Sequence, residues 1–349
     1  MADRKTYRKR KKKLWLIPVL VTAAALWAGL AMAYRGFRDK EKAEMTARSH
    51  EAGPPAGTAG VEAPEFIGTV SWNGKKYTYN EHLSNFLFLG VDKEEFADVP
   101  VGSAEAGQSD SIFLLSWDRV TGAVTVILIP RDTTAAIEEF YTDGTSAGLV
   151  PSYMCLAYAY GDGRHKSCQL SAAAVSNLLY GVPIQGYCAL SLNALPVMIG
   201  ELGGLEVVVP NDSLTAKYPE YKEGTTITLS EENIEPYLRY RDTSVSGSPF
   251  SRLRRQEAFL KAYAGRIEED FGKDPGVITR IYTALDPCMV TNIGTDQLAR
   301  LMGMMTEGSA PVFWTLPGES VAGEVYDEYH ADEEALRERI METFYVEAE

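Results

Sequence analysis

The sequence is poor in metal-binding side chains. Its 349 residues include only four cysteines and four histidines. No two cysteines have C-x-x-C spacing, and the histidines are scattered along the chain. Because a zinc site needs closely spaced Cys or His ligands, this pattern argues against one. It leaves open whether two of the cysteines form a disulfide or all remain buried thiols: Cys155, Cys168, Cys188 and Cys288.

Basic residues are also scarce over most of the chain. The formal net charge at pH 7 is −14, yet residues 1–13 contain eight Lys and Arg against one Asp. Because that segment contributes +7, the remaining residues carry −21. A nucleic-acid-binding domain needs a basic surface on its own fold. The charge distribution therefore predicts no nucleic-acid partner.

Charge is absent from one long apolar run. The 21 residues from Leu14 to Tyr34 contain no charged side chain, and a helix of that length crosses the roughly 30 Å core of a bilayer. The basic residues before it place the N-terminus in the cytoplasm. We therefore predict a single-pass cell-membrane protein with a cytoplasmic tail (1–13), a transmembrane anchor (14–34) and an extracellular main domain. A cleaved signal peptide is the alternative, because Ala31-Met32-Ala33 resembles a cleavage site.

The rest of the chain divides into a stalk and a folded domain. Residues 35–65 are polar and then rich in Gly, Pro and Ala, which predicts a flexible stalk. From residue 66 to residue 349, short apolar runs typical of buried strands alternate with helical patterns. This order predicts an α/β fold, an α-β-α sandwich around a central mixed sheet. The clearest strand runs are NFLFLGVD, SIFLLSWD and AVTVILIPRD, and Asn73-Gly74 predicts a hairpin before them.

Five arginines lie between Tyr237 and Glu257. On a helix that starts at Ser251, with about 100° per residue, Arg252 and Gln256 lie on the apolar face. Arg254 points to solvent, and Arg255 lies at the border between the two faces. A buried guanidinium costs several kcal/mol unless an anion meets it. The helical phase therefore predicts an anion at this end of the helix.

Two further arginines precede that helix. Arg239 and Arg241 alternate with Leu238 and Tyr240, so in an extended segment they would share one face. Together with the helical pair they can converge on one anion. A structural ion-pair network is the alternative interpretation.

Acidic residues lie at the ends of the predicted strands. Asp92 follows the first strand, Asp110 precedes the second, and Arg131-Asp132 follow the third. In open α/β sheets ligands bind beyond the strand ends, although any one of these aspartates alone would be read as a turn residue. A guanidinium group can bind two phosphate oxygens at once. Carboxylates near a phosphate repel it unless a cation such as Mg²⁺ bridges the two groups. These residue types predict phosphoryl transfer on a diphosphate.

The motifs resemble the LytR-CpsA-Psr (LCP) family of cell-wall glycopolymer ligases. The resemblance covers about residues 70–345 together with the tail and the anchor. It is carried by these segments in this order: FLFLGVD, QSDSIFLLS, ILIPRDT, LAYAYGDG, ELGGLEVVVP and YLRYRD…FSRLRRQ.

The resemblance implies Mg²⁺-dependent transfer of a glycan phosphate from a polyprenyl-pyrophosphate lipid to a peptidoglycan hydroxyl. It places the metal on Asp92 and Asp110. It also implies an apolar cavity for the lipid, which the run LPVMIGELGGL would line. It places the pyrophosphate on Arg131, Arg239, Arg241, Arg252 and Gln256, with Gln108 beside them.

Three positions depart from the family pattern. Gln108 and Tyr153 stand where the family usually has arginine and lysine, and Pro249 stands where it has an acid. We take Arg131, Asp132 and Asp242 as the candidate catalytic residues, with Asp242 as a replacement for the missing acid. The departures make a weakly catalytic or non-catalytic polyprenyl-phosphate-binding protein the alternative function. A transcription regulator is a third class, which the predicted topology opposes.

Overall fold

The computed structural model describes residues 67–141, 143–241, 248–305, 310–323 and 327–348. The predicted tail, anchor and stalk (1–65) lie outside these residues, and so does Asp242. Within the described ranges, no helix is both long enough and apolar enough to cross a membrane.

Among the described residues, strands outnumber helices. The described residues form β1 (Thr69–Trp72), β2 (Lys75–Tyr79), β3 (Leu83–Val91), β4 (Ser109–Asp118), β5 (Val124–Ile129), β6 (Thr134–Phe140), β7 (Ser146–Tyr153), β8 (Gly186–Leu190), β9 (Leu205–Val208), β10 (Thr226–Leu229), β11 (Met289–Thr291), β12 (Val312–Thr315), β13 (Gly318–Ala322), β14 (Asp327–Ala331) and β15 (Tyr345–Glu347).

Helices come mainly after the first seven strands. The described helices are α1 (Leu156–Ala159), α2 (His165–Leu178), α3 (Ala194–Gly200), α4 (Ile234–Arg239), α5 (Ser248–Lys273), α6 (Val277–Leu285), α7 (Thr295–Met305) and α8 (Glu333–Phe344), with a short 3₁₀ turn at Asp286–Cys288.

A six-stranded mixed sheet forms the centre, in the order β11-β8-β3-β4-β5-β12. The three apolar runs become the neighbouring strands β3, β4 and β5, which pair antiparallel. Both faces of these strands are covered: Leu87 and Leu114 are fully buried on one face, and Phe86 and Trp117 pack on the other. This explains why the runs lack alternation. The predicted mixed α/β fold with a central mixed sheet is confirmed.

A second core forms around the helices beside β9 and β10. Met198, Ile199 and Leu202 of the apolar run after β8 are buried there against Phe259 and Ile267 of α5. We expected this run to line a lipid cavity. Instead, its buried side chains fill a packed core, in which α3 lies against α4 and α6.

The remaining strands form small sheets around the centre. Asn73 and Gly74 both have positive φ, as the predicted β1–β2 hairpin requires. The distant strand β15 joins the other edge of β2, where Lys75 pairs with Glu347 at 2.8 Å. The hairpins β6–β7 and β13–β14 were not predicted from the sequence. All four cysteines are free thiols; Cys155, Cys168 and Cys188 are buried, and Cys288 is partly exposed.

Candidate functional site

A cleft opens where β5 ends. Because β4 and β5 are antiparallel, the start of β4 and the end of β5 lie at the same edge of the sheet. Cys155 joins these two ends: its N–H donates to the carbonyl of Arg131 at 3.0 Å, and its carbonyl accepts from Ser109 at 3.2 Å. The cleft encloses about 380 Å³, including space open to solvent. Its polar walls are Asp110, Arg131, Asp132, Arg252 and Gln256.

Arg131 is the hub of the cleft. Its Nε donates to Asp132 Oδ1 at 3.0 Å and its Nη2 donates to Gln108 Oε1 at 2.9 Å. Its Nη1 bonds Asp110. Burial opposes the charge on this guanidinium, but its interactions with Cys155, Asp110 and Asp132 outweigh the effect of burial and raise the pKa of Arg131. Arg131 therefore stays charged and holds both carboxylates in the cleft.

Asp92 is fixed to the turn that carries Gln108. Its Oδ1 accepts the N–H of Gln108 at 2.8 Å, and its own N–H donates to the carbonyl of Gln108 at 3.0 Å. Gly107 has φ +97°, and a Cβ there would lie 2.9 Å from Asp92 Oδ1, so only glycine fits. Asp92 is 3% exposed. The turn thus brings Asp92 and Gln108 to the edge that Arg131 occupies.

Arg252 is a buried cation in this cleft. It is 7% exposed and, among the described residues, its guanidinium has neither a hydrogen-bond nor an ion-pair partner. Burial lowers the pKa of Arg252; Asp110 and Asp132 raise it, whereas Arg131 and Arg241 lower it further. An arginine in this state is a strong candidate to bind an anion, because burial without a partner is costly.

The helical phase predicted for α5 is confirmed. Arg252 and Gln256 are buried and line the cleft, whereas Arg254 is exposed. Arg255, expected at the border of the two faces, is 1% exposed and bonds outside the cleft. The prediction was right for the cleft because the first turns of α5 pack against the sheet edge, as their apolar neighbours require.

The upstream arginines are placed differently from the prediction. Arg239 is not in an extended segment: it ends α4 and pairs with Glu235 one turn before it, away from the cleft walls. The extended-segment expectation is wrong because α4 continues through Arg239. Arg241 follows α4, and its charge reaches Arg252. The structure thus brings one of the two upstream arginines towards the cleft.

Several cleft residues were not predicted from the sequence. Tyr329 of β14 closes one side: its N–H donates to the carbonyl of Asp132 at 2.9 Å and its ring packs on Phe250. Ser320 of β13 lies in the same wall. Polar and apolar residues alternate only from Glu328 to Ala331, and nothing local connects this strand to Asp132.

The predicted Mg²⁺ would depend on the carboxylates near the cleft. Among the described residues, no group of three or more His, Cys, Asp and Glu side chains could hold a metal ion by itself. Mg²⁺ is commonly held by one or two carboxylates together with substrate phosphates and water. Asp110 lines the cleft and Asp92 is bonded to the turn of Gln108, so a metal held by them would need a phosphate ligand to complete its coordination.

The fold of the described domain matches that of solved structures. The TagV structure of B. subtilis superposes with a TM-score of 0.57 at 21% identity, covering 76% of this chain and 98% of that chain. A structure of TagT bound to LI-WTA gives a TM-score of 0.56 at 20% identity, covering 75% and 90%. At such identities these matches establish the fold.

Sequence relatives carry related names. The polyisoprenyl-teichoic acid–peptidoglycan teichoic acid transferase TagV of Bacillus subtilis is 27% identical over 189 residues, 52% of this chain and 43% of TagV. TagU of Bacillus cereus is 26% identical over 229 residues, 64% of each chain. The matched region thus spans less than two thirds of the length of these relatives. The family model LytR_cpsA_psr matches residues 57–342, and the chain therefore belongs to the LytR_cpsA_psr family.

Proposed function

We propose that this protein transfers a glycan phosphate from a polyprenyl-pyrophosphate-linked glycopolymer to a peptidoglycan hydroxyl, with Mg²⁺, at the outer face of the cell membrane. The observation that carries the proposal is buried Arg252, without a partner among the described residues, beside Arg131 and Gln256 in one cleft. The names of TagU and TagV pair a polyisoprenyl-linked teichoic acid with peptidoglycan, which supports both substrate classes.

Charge balance supports a metal-assisted diphosphate. The charged side chains that line the cleft within the described residues are Asp110, Asp132, Arg131 and Arg252, and their charges cancel. A diphosphate therefore needs extra positive charge, of which nearby Arg241 supplies part. When bound, Mg²⁺ would neutralise diphosphate oxygens, and Asp92 and Asp110 are the residues that would hold it.

The side chains of the cleft have separate tasks in this proposal. Arg252 and Gln256 bind and orient the diphosphate from α5. Arg131 stabilises the charge that develops on the transferred phosphoryl group. Asp132 lies in the same cleft with its carboxylate held by Arg131, so it is the described residue best placed to accept the proton of the attacking hydroxyl. Asp242 remains a second candidate for that proton.

The reaction itself exchanges a phosphoanhydride bond for a phosphoester bond. The acceptor hydroxyl oxygen forms a bond to the glycan-linked phosphorus, and the bond from that phosphorus to the bridging oxygen breaks. The electron pair goes to the bridging oxygen, so polyprenyl phosphate leaves. The hydroxyl proton passes to the carboxylate.

A non-catalytic lipid-binding role is the second candidate, and one observation favours it. Gln108 contacts Arg131 as a neutral acceptor at a position where a cation would offset transition-state charge. The ground-state contacts of Arg252 and Gln256 do not depend on that position. Such a protein would hold its lipid without consuming it.

Asp110→Asn separates these two functions. We expect release of polyprenyl phosphate from a synthetic donor to fall at least about tenfold, and the Mg²⁺ concentration for half-maximal rate to rise. Binding of the donor without Mg²⁺ should tighten, because one negative charge leaves the cleft. The measurements are phosphate-lipid release with a peptidoglycan fragment and calorimetric binding in chelator. The matched control is Asp98→Asn, whose carboxylate is 84% exposed. Absence of turnover in the wild type, with binding retained, would favour the lipid-binding role.

The proposed location makes a separate prediction. Protease added to intact protoplasts should digest residues 66–349 and spare the segment before Leu14, because the basic flank keeps that segment inside. The fragments are identified by antibodies against each part. Complete protection of the domain until the membrane is lysed would overturn the extracellular location and the proposed reaction with it.

A further inference from the structure

Arg255 is a second buried cation of α5, and it bonds neutral oxygen atoms rather than carboxylates. Its side chain is 1% exposed. Nε donates to the carbonyl of Tyr237 at 2.7 Å, and the two Nη atoms bond the carbonyl of Tyr240 and the hydroxyl of Ser213. Within the described part of the chain it forms no ion pair. Burial lowers the pKa of Arg255 to about 10. A cation kept there despite burial points to a geometric role.

The bonded carbonyls lie where the chain leaves α4. The last carbonyls of a helix lack helical partners and carry a partial negative charge. Tyr240 follows the last residue of α4 with φ −57° and ψ 134°, so the chain turns out of the helix there. The planar fork of Arg255 holds the carbonyls on both sides of this turn at once. It therefore fixes the direction in which the next residue, Arg241, emerges.

The same side chain ties that turn to α5. Arg252 lies three residues before Arg255 on α5, about one helical turn away. The charge of Arg241 lowers the pKa of Arg252, so the two cations lie within each other's fields. Because like charges repel, a rigid link between α5 and the end of α4 helps to keep the two cations at a fixed spacing. Arg255 provides that link through its two hydrogen bonds to the carbonyls of Tyr237 and Tyr240.

We propose that Arg255 is a positioning residue that sets the spacing of Arg241 and Arg252, so that the cleft prefers a diphosphate to a monophosphate. This proposal rests on the proposed diphosphate-binding function of the cleft. Two phosphate groups need two cation-bearing segments at a fixed separation, whereas one phosphate group needs only one segment. Loosening the link should therefore weaken diphosphate binding more than monophosphate binding.

Arg255→Lys tests the proposal while keeping the charge. Lysine supplies three donors without the planar fork, so it cannot hold both carbonyls and Ser213 in the same geometry. We expect the affinity of the full-length chain in detergent for geranyl pyrophosphate to fall about tenfold, and that for geranyl monophosphate to change less than threefold. In an Arg241→Ala background, Arg255→Lys should have little further effect on diphosphate binding, because its action passes through Arg241. The matched control is Arg254→Lys on the exposed face.

The outcomes distinguish a failure of this inference from a failure of the proposed function on which it rests. If the wild type and Arg254→Lys do not bind geranyl pyrophosphate, the proposed function fails. If they bind and Arg255→Lys loses affinity for both ligands equally, or loses it additively with Arg241→Ala, Arg255 is only a structural cap and the inference fails. Should Arg255→Lys not fold, Ser213→Ala removes one acceptor and should lower diphosphate affinity selectively by two- to fivefold. Unchanged selectivity in that variant would equally overturn the inference.

Discussion

Arg252→Met should weaken polyprenyl-pyrophosphate binding and, at the same time, stabilise the free protein. A charged donor to a desolvated phosphate contributes about 1.5–3 kcal/mol, so we expect the dissociation constant to rise about tenfold to a hundredfold. In the free protein the guanidinium is buried without a partner among the described residues. Methionine of similar length removes that cost, so Tm should rise by about 2–4 °C for each kcal/mol regained. Calorimetric titration and thermal unfolding measure the two effects.

Because affinity should fall while Tm rises, this experiment distinguishes an anion site from other roles of Arg252. Arg254→Met removes the same charge from the exposed face of α5 and should change neither quantity. A general loss of folding would lower both affinity and Tm, and a structural ion pair at Arg252 would lower Tm alone. Equal losses of affinity at positions 252 and 254 would contradict the anion site.

The double variant Gln108→Arg/Tyr153→Lys should raise turnover by about tenfold or more. Each missing cation is expected to cost about ten- to a thousandfold in rate, since charge on the transferred phosphoryl group is left less neutralised. Gln108 already contacts Arg131 at 2.9 Å, so an arginine at position 108 would place its charge beside Arg131. Tyr153 ends β7, two residues before Cys155, whose backbone bonds Arg131 and Ser109 at the edge of the cleft. The measurement is kcat/KM for polyprenyl phosphate release with Mg²⁺.

A control variant tests whether added positive charge alone could raise the turnover. The control Gln169→Arg/Tyr141→Lys introduces the same two cations at exposed positions, and we expect it to leave kcat/KM unchanged. The free active variant should also be less stable than the wild type, because a second guanidinium faces Arg131 without a ligand. An equal rate in wild type and double variant would place positions 108 and 153 outside the working site.

The sequence predicted the parts of the fold and cleft that local patterns control. Continuous apolar runs predict strands covered on both faces, and β3 to β5 are such strands. The phase of α5 is set by its own apolar residues, so the burial of Arg252 and the exposure of Arg254 could be predicted. Asp110 and Arg131 were both placed at strand ends near one ligand site, and the structure brings them together as an ion pair.

Other parts depend on contacts that no local pattern encodes. Tyr329 reaches Asp132 across nearly two hundred residues of chain, and only tertiary packing brings them together. Arg239 was misplaced because two residues of alternation fit a strand and a helix end equally well, whereas the buried residues Ile234, Tyr237 and Leu238 share one helical face. Arg255 sits at the border of two helix faces, where phase alone does not decide burial.

The pairing of β2 with β15 constrains the folding kinetics of the domain. Lys75 and Glu347 are 272 residues apart in sequence, yet their strands are hydrogen-bonded neighbours. Such a contact closes a very large loop, and folds rich in non-local pairings form slowly. The β1–β2 hairpin can form early, but its outer edge stays open until β15 arrives. During synthesis this edge is an unsatisfied template for other strands, so chains released before β15 has paired are the ones most exposed to aggregation.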